Sequence, residues 1–115
     1  MQGKRLDRVN QLIKEEISTL LQRELKDPRL GFVTVTQVEA TKDLRVAKVF
    51  VSVLGGETQW KASLTALVSA RGFIRNWLRH HLDLRVTPEL DFRADHSMEH
   101  AARIQHLLGR LHDGP

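Results

Sequence analysis

The sequence predicts an α+β domain in which a three-stranded sheet is covered by helices mainly on one face. Three short runs alternate apolar and polar residues, which is typical of strands with one buried face. In the segments around them, apolar residues recur every three or four positions, as in amphipathic helices. Because the strands are not continuously apolar, we expect the other face of the sheet to meet solvent. The 115 residues fit one domain, and we expect a single domain over residues 1–115.

The first half of the chain predicts a helix followed by a β-hairpin. Residues 5–26 carry the helical pattern, and Pro28 ends it because the residue before a proline avoids helical geometry. Residues 32–40 and 44–54 alternate and are joined by a short polar connection, which predicts an antiparallel pair of strands. In the second run the predicted core face holds Ala47, Val49, Val51 and Val53.

The second half predicts two helices, a third strand and a final helix. Glycine inside a helical pattern costs about 1 kcal/mol relative to alanine, so Ala70-Arg71-Gly72 predicts a break or kink between the two helices. Leu90, Phe92 and Ala94 predict a strand with one buried face, and Ser97 is placed to cap the last helix. The apolar stripes of the helix pair are Trp60, Leu64, Leu67 and Val68, then Phe73, Ile74, Trp77, Leu78 and Leu82.

Composition and motifs argue against most enzyme classes. The chain has no cysteine, which excludes disulfides, thiolate metal sites and a cysteine nucleophile. It has no dinucleotide-binding, P-loop or nucleophile-elbow motif, so we expect no catalytic residue and no cofactor. His96 and His100 are spaced for one helix face, but no acid is placed as a third metal ligand. No run is apolar enough for a membrane span or a secretory signal, so we expect a cytoplasmic protein.

Positive charge is concentrated in one segment of the chain. The formal net charge is +4, and twelve of the eighteen basic residues are arginine, whose planar guanidinium suits phosphate. Residues 60–88 carry five basic residues against Asp83 alone, so this segment accounts for the whole net charge. A localised basic segment favours a polyanionic partner, and the alternative is an ordinary charged surface.

The candidate binding residues follow from the spacing of arginines. Arg71, Arg75 and Arg79 recur every four residues, which places them on one helical stripe opposite the apolar residues. Gly72 lies at the start of that helix, where a small residue and unpaired N–H groups suit a phosphate. No acid lies between Lys61 and Asp83 to pair with these arginines at helical spacing. Flanking candidates are Lys61 and Arg85, and a second basic group consists of Lys4, Arg5 and Arg8.

Aromatic residues predict little base stacking. Most of them fall on predicted core stripes, and Phe50 is the one expected to be exposed, because it shares a strand face with Lys48 and Ser52. Binding through charge and shape is therefore favoured over stacking on bases.

Several stretches in a fixed order resemble the ribosome-binding factor A family of bacteria. The resemblance covers about residues 5–111. The stretches that carry it are Arg5-Leu6-Asp7-Arg8-Val9, Lys26-Asp27-Pro28-Arg29-Leu30-Gly31, Ala47-Lys48-Val49-Phe50-Val51, Gly72-Phe73-Ile74-Arg75, Leu84-Arg85, Pro88-Glu89-Leu90-Asp91-Phe92 and Asp95-His96-Ser97.

The resemblance implies a type II KH-like domain whose sheet has one antiparallel and one parallel strand pairing. Ordinary KH domains clamp nucleotides with a GxxG loop, but Ser69-Ala70-Arg71-Gly72 stands there instead, matching the family's Ala-x-Gly kink. The resemblance also implies binding to the free 30S subunit and help with late 16S rRNA maturation near the 5′ end, above all in the cold. A ribosome-assembly GTPase is implied in release.

Three hypotheses follow. The leading one is a non-enzymatic, monomeric RNA-binding assembly factor whose arginine stripe contacts rRNA phosphates. The second is a protein-interaction module that docks an acidic protein on the same stripe. The third is a metal-dependent enzyme built on the histidines.

Overall fold

The computed structural model describes residues 2–95 and consists there of three helices and a three-stranded sheet. Helix α1 spans Gln2–Arg23 and is followed by strands β1 (Val33–Ala40) and β2 (Val46–Val53). Helices α2 (Glu57–Ser69) and α3 (Arg71–His81) lead to strand β3 (Glu89–Ala94). The predicted α+β class is confirmed, and the final helix expected after Ser97 lies outside the described residues.

The sheet has the order β1-β2-β3 and mixes the two kinds of pairing. Strands β1 and β2 are antiparallel, and β2 and β3 are parallel, as the family resemblance implies. The register shifts between Val35 and Gln37, so Thr36 is an extra residue in β1. This bulge lets Val35 and Val38 both face the core although they are three positions apart. The sequence analysis predicted uninterrupted alternation and missed the bulge.

All three helices pack on one face of the sheet, as predicted. The inward residues of the strands meet the apolar stripes of the helices in one cluster. The fully buried members of this cluster include Ile13, Ile17, Leu20, Ala47, Val49, Val51, Leu67, Ile74 and Leu78. Burying each large aliphatic side chain contributes about 1.5–3 kcal/mol, so this cluster is the main stabilising element.

Two contacts fix α1 against the rest of the fold. The indole N–H of Trp77 donates to Oε1 of Glu16 at 2.9 Å, and the ring of His81 stacks on Trp77 with centroids 3.8 Å apart. The side-chain oxygen of Asn10 accepts the backbone N–H of Ala40 at 2.9 Å. That bond satisfies a backbone donor in β1, which forms one edge of the sheet. The orientation of α3 is therefore set by α1 as well as by the sheet.

Two turns move the ends of elements away from the predicted positions. Helix α1 ends at Arg23 rather than near Lys26, and the Asp27 carboxylate accepts hydrogen bonds from both the guanidinium and the backbone N–H of Arg29. In the hairpin, Leu44 has φ 58°, so it belongs to the turn, and β2 begins at Val46. Short-range hydrogen bonds of Asp27 and Asp43 compete here with the regular elements.

The helix pair buries most of its predicted apolar residues, and two of them are exceptions. Val68 and Phe73 were expected in the core, but they are 47% and 52% exposed. On α2 the small residues Ser63 and Ala66 are buried instead. The Ser63 hydroxyl accepts the N–H of Gly31 at 3.3 Å, which brings α2 close to the turn after α1. Ala94, expected on the buried face of β3, is also exposed.

Candidate nucleic-acid interface

The interruption between the two helices lies at Ala70. Its N–H donates to the carbonyl of Ala66 at the end of α2, and its carbonyl accepts the N–H of Ile74 in α3. One residue therefore ends one helix and starts the next, where the sequence placed the Ala70-Arg71-Gly72 break. Ala70 packs partly against the core, whereas Gly72 is exposed.

The arginine stripe on α3 rotates from the flank of the helix toward solvent. An α-helix turns about 100° per residue, so each step of four residues advances about 40° around the axis. Ile74 and Leu78 are fully buried and define the core side. Arg75 then lies on the flank and is half-buried, while Arg79 points farther toward solvent and is exposed. Arg71 is exposed because it begins the helix.

Arg75 is held by the protein itself. Its Nη2 donates to the carbonyl of Thr87 at 2.9 Å, and its Nε donates to the carbonyl of Pro88 at 3.3 Å. The same Nε lies 3.8 Å from Oε1 of Glu89, and the side chain is only 32% exposed. Arg75 therefore braces α3 against the start of β3. The sequence analysis predicted Arg75 as a phosphate contact. It could not find these acceptors, because they are 12 or more residues away along the chain.

Lys61 has an acidic neighbour that the sequence analysis did not count. Its Nζ lies 3.4 Å from Oε1 of Glu57, one helical turn earlier, and both side chains are largely exposed. Glu57 stands just before the acid-free segment, so the charge count missed it. An exposed pair of this kind contributes only about 0.3–0.5 kcal/mol, so a phosphate can displace the carboxylate at little cost.

The other six candidates are exposed and have no carboxylate within 4 Å among residues 2–95. They are distributed over three places in the fold. Two are on α3, one is in the connection between α3 and β3, and three are in the first two turns of α1, whose first turn contains no acid. Within the described residues no hydrogen bond or ion pair joins the three groups. These candidates are Arg71, Arg79, Arg85, Lys4, Arg5 and Arg8.

The open face of the sheet is electrically balanced. The strand register aligns Glu39, Lys48 and Asp91 in one row across the three strands, so two acids flank one base. The Asp91 carboxylate binds Nη2 of Arg93 at 2.9 Å, and this hydrogen bond raises the pKa of the Arg93 guanidinium above its ordinary value. The open face of the sheet therefore carries no excess of positive charge among the described residues.

The exposed aromatic residues differ from the predicted one. Phe50 is half-buried in the sheet, whereas Phe32 is 80% exposed and Phe73 is 52% exposed. Phe73 follows Gly72 on α3, about 100° around the axis from the buried Ile74. This angle, which can be read from the sequence, indicated that Phe73 lies away from the buried side of α3, and the sequence analysis did not use it.

Within residues 2–95, no group of three or more metal-ligating side chains is close enough to hold an ion. Nδ1 of His80 and Nδ1 of His81 lie within 2.9 Å of backbone carbonyls one turn earlier in α3. His96 and His100 lie outside the described residues. Among the described helices, none has the length and apolar character that crossing a membrane requires.

Comparison with known sequences identifies one family along most of the chain. The family model described as ribosome-binding factor A matches residues 5–108. Ribosome-binding factor A of Thermomicrobium roseum is 48% identical over 111 residues, which cover 96% of this chain and 86% of the relative. The protein of the same name from Desulfitobacterium hafniense is 52% identical over 104 residues, which cover 90% of this chain and 83% of the relative.

Solved structures with the same description share the fold. The crystal structure of ribosome-binding factor A from Thermus thermophilus has a TM-score of 0.70 at 28% identity and covers 77% of this chain and 94% of its own. The solution structure of a putative ribosome-binding factor A from Thermotoga maritima has a TM-score of 0.68 at 39% identity, covering 75% and 82%. A homology model of the Thermus protein, fitted into the cryo-EM map of a 30S complex with that protein, has a TM-score of 0.67 at 27% identity, covering 79% and 96%.

Proposed function

The chain belongs to the ribosome-binding factor A family, and on that premise we propose that it is a non-enzymatic assembly factor that binds the free 30S subunit. The observation that carries the proposal is the family match over residues 5–108, which includes every helix and strand of the described fold except the start of α1. The Thermus thermophilus homologue whose model was fitted into a 30S complex supports the choice of partner.

We propose that the free cations of the α3 side contact rRNA phosphates. Arg71 and Arg79 are exposed on one helix, and Arg85 follows in the connection to β3. Their planar guanidinium groups suit phosphate oxygens, and among the described residues none of the three is paired with a carboxylate. Lys61 adds a fourth contact by exchanging Glu57 for a phosphate. Arg75 acts indirectly, by holding α3 in place.

The second basic group extends the contact surface. Lys4, Arg5 and Arg8 project from the first turns of α1, and that end of a helix dipole is already positive. Their mutual repulsion is relieved when a phosphate backbone lies beside them. The open face of the sheet, with its balanced charges, takes no part in this binding.

The more specific part of the proposal, on fold type, RNA target and release, is taken from the family resemblance. The chain would be a type II KH-like domain that binds as a monomer in the cytoplasm and stabilises a 16S rRNA conformation near the 5′ end during late maturation. This role would matter most in the cold, where misfolded RNA helices rearrange slowly, and a ribosome-assembly GTPase would end the interaction.

The test is cosedimentation with purified free 30S subunits across a series of salt concentrations. Phosphate contacts to single strands predict that log K falls with log salt by about 0.7 for each phosphate neutralised. Arg79→Glu should weaken binding and flatten that slope. The matched control is Arg23→Glu, which changes the net charge equally at the far end of α1.

The outcomes separate the hypotheses. Equal loss of affinity in the two variants would mean that only net charge matters and would remove α3 from the interface. Binding that survives complete ribonuclease digestion of the subunits would favour the acidic-protein alternative. Binding to intact subunits that depends on salt and on Arg79, and that ribonuclease abolishes, would support the RNA-binding proposal.

A further inference from the structure

An exposed apolar pair lies at one end of the open face of the sheet. Phe32 and Leu54 are 80% and 72% exposed, more than any other large apolar residue in the described part of the chain. The N–H of Leu54 donates to the carbonyl of Phe32 at 3.0 Å, so the pair continues the β1–β2 register beyond Val33 and Val53. Alternation along the strands places both side chains next to each other on the open face. Adjacent apolar side chains left in water favour a partner that covers them.

The described part of the chain ends beside this pair. Strand β3 runs parallel to β2 with Ala94 opposite Val51, and the N–H of Asp95 donates to the carbonyl of Val51 at 2.8 Å. If the chain continues at the same register, residue 97 comes level with Leu54, one strand spacing of about 4.8 Å away. The segment that follows β3 therefore starts next to the exposed pair.

The side chain of Asp95 directs this end of the chain toward the open face. The Thr36 hydroxyl donates to the Asp95 carboxylate, which joins β1 to the end of β3 across the middle strand β2. Such a contact has to pass over one face of the sheet. The helices occupy the core face, so the bond holds the end of the described chain over the open face.

The sequence after β3 has the pattern and the length to cover the pair. Residues 96–115 lie outside the described residues, and the sequence predicts a helix there that is capped by Ser97. From residue 97 to Ile104 a helix advances about 10 Å, which equals two strand spacings and so the distance from β3 to β1. The apolar stripe predicted for this helix consists of Met98, Ala101, Ile104, Leu108 and Leu111.

We propose that the C-terminal segment of this chain, residues 97–111, docks as an amphipathic helix across the end of the open face and covers Phe32 and Leu54. Met98 would then lie near Leu54, and Ile104 would reach Phe32. The occupant is a segment of the same chain because it starts one strand away from the pair, which gives it a higher effective concentration than a partner in solution. The docked helix lies on the face opposite α3, so this packing is independent of the proposed RNA contacts.

The experiment measures paramagnetic broadening of nuclear magnetic resonance signals in the full chain. The sequence has no cysteine, so Thr34→Cys provides a single site for a nitroxide label, exposed on the open face beside Phe32. We expect this label to broaden the amide signals of residues 98–104 strongly. Thr65→Cys is the matched control, because Thr65 is an exposed threonine on α2, on the other side of the sheet. From that site the same label should broaden these signals much less.

The labelled chains also separate the proposed occupant from the alternatives. Equal broadening from the two label sites would overturn the inference, and so would stronger broadening from the Thr65 site. Ile104→Ser should reduce the broadening from the Thr34 site, because the segment loses apolar contact with the pair, and unchanged broadening would contradict apolar docking. A mixture of labelled chains with unlabelled, isotope-enriched chains tests a second copy as the occupant. Broadening of residues 98–104 in that mixture would overturn docking within one chain.

Thermal unfolding gives an independent readout. Leu54→Ser should lower the melting temperature by about 5 °C, because a covered leucine loses apolar contact. Val68→Ser is the matched control, since Val68 is 47% exposed on α2 and exposure within the described residues alone would make it the more sensitive position. A shift for Leu54→Ser no larger than that for Val68→Ser would refute the docking. Leu54→Ser combined with Ile104→Ser should lower the melting temperature by less than the sum of the two single shifts.

Discussion

Arg75 and Arg79 have the same spacing signature in the sequence, and the structure predicts opposite consequences for their removal. Arg75→Ala should destabilise the fold because its guanidinium donates to the carbonyls of Thr87 and Pro88. Arg79→Ala should leave the stability unchanged because Arg79 is exposed and has no described partner within the chain. In binding to 30S subunits, Arg79→Ala should have the larger direct effect.

The magnitude for Arg75 follows from its contacts. A hydrogen bond from a charged group contributes about 1.5–3 kcal/mol net. Arg75 makes two, but its side chain is 32% exposed and the freed carbonyls can bind water, so we expect about 2 kcal/mol in total. The contact with Glu89 adds little, because its distance is 3.8 Å and the glutamate is largely exposed. For a domain of this size, about 2 kcal/mol corresponds to a fall of about 8 °C in melting temperature.

The assay is thermal and urea unfolding of the wild type, Arg75→Ala, Arg75→Lys and Arg79→Ala. Arg75→Lys keeps the charge but cannot reach both carbonyls with one planar group, so its stability should lie between those of the wild type and Arg75→Ala. A melting temperature of Arg75→Ala within 1 °C of the wild type, measured with a precision of about 0.5 °C, would refute the bracing role.

Three further perturbations test the packing and the turns. Ile17→Ala should cost about 2–5 kcal/mol in urea unfolding, because Ile17 is fully buried and its loss leaves a cavity. Trp77→Phe should lower the free energy of unfolding by about 1–2 kcal/mol, since it removes the indole N–H that donates to Glu16. The double variant Trp77→Phe with Glu16→Ala should lose less free energy of unfolding than the sum of the two single losses. The pKa of the Asp27 carboxyl lies below its ordinary value, first because the Arg29 guanidinium donates a hydrogen bond to it. The ionised carboxylate therefore stabilises the fold at neutral pH, and this stabilisation is lost progressively as the pH falls below about 4. Asp27→Asn should therefore be less stable than the wild type at pH 7, and this difference should shrink progressively in unfolding curves measured at successively lower pH below about 4.

Much of the fold could be predicted from local patterns because they depend on the period of apolar residues. The alternation of residues 44–54 placed Val49 and Val51 on the core face, and the structure buries both. The break at residues 70–72 was visible because glycine and alanine interrupt two apolar stripes. The mixed strand pairing came from the family resemblance, since no local pattern distinguishes a parallel neighbour from an antiparallel one.

The misses have a common cause in contacts between distant residues. Ser63 is buried in α2 although it is polar, because its hydroxyl accepts the backbone N–H of Gly31, 32 residues earlier. The Thr36 bulge adjusts β1 to its partner strand, and its hydroxyl donates to the carboxylate of Asp95, 59 residues later. Composition and periodicity carry no information about such partners.

The sequence alone determined which residues are apolar at which period, where the helices break, how positive charge is distributed along the chain, and which family the chain resembles. The tertiary structure decided which of the equally spaced arginines remain available to a ligand. The spacing of residues in a helix determines only their angles around the helix axis. Whether an arginine is available to a ligand depends on which other parts of the fold lie next to it. The backbone carbonyls just before β3 accept hydrogen bonds from Arg75, whereas no hydrogen bond or ion pair in the described part of the chain holds Arg79. The reason is that folding places distant backbone acceptors beside one residue of a helical stripe and leaves the next residue in water.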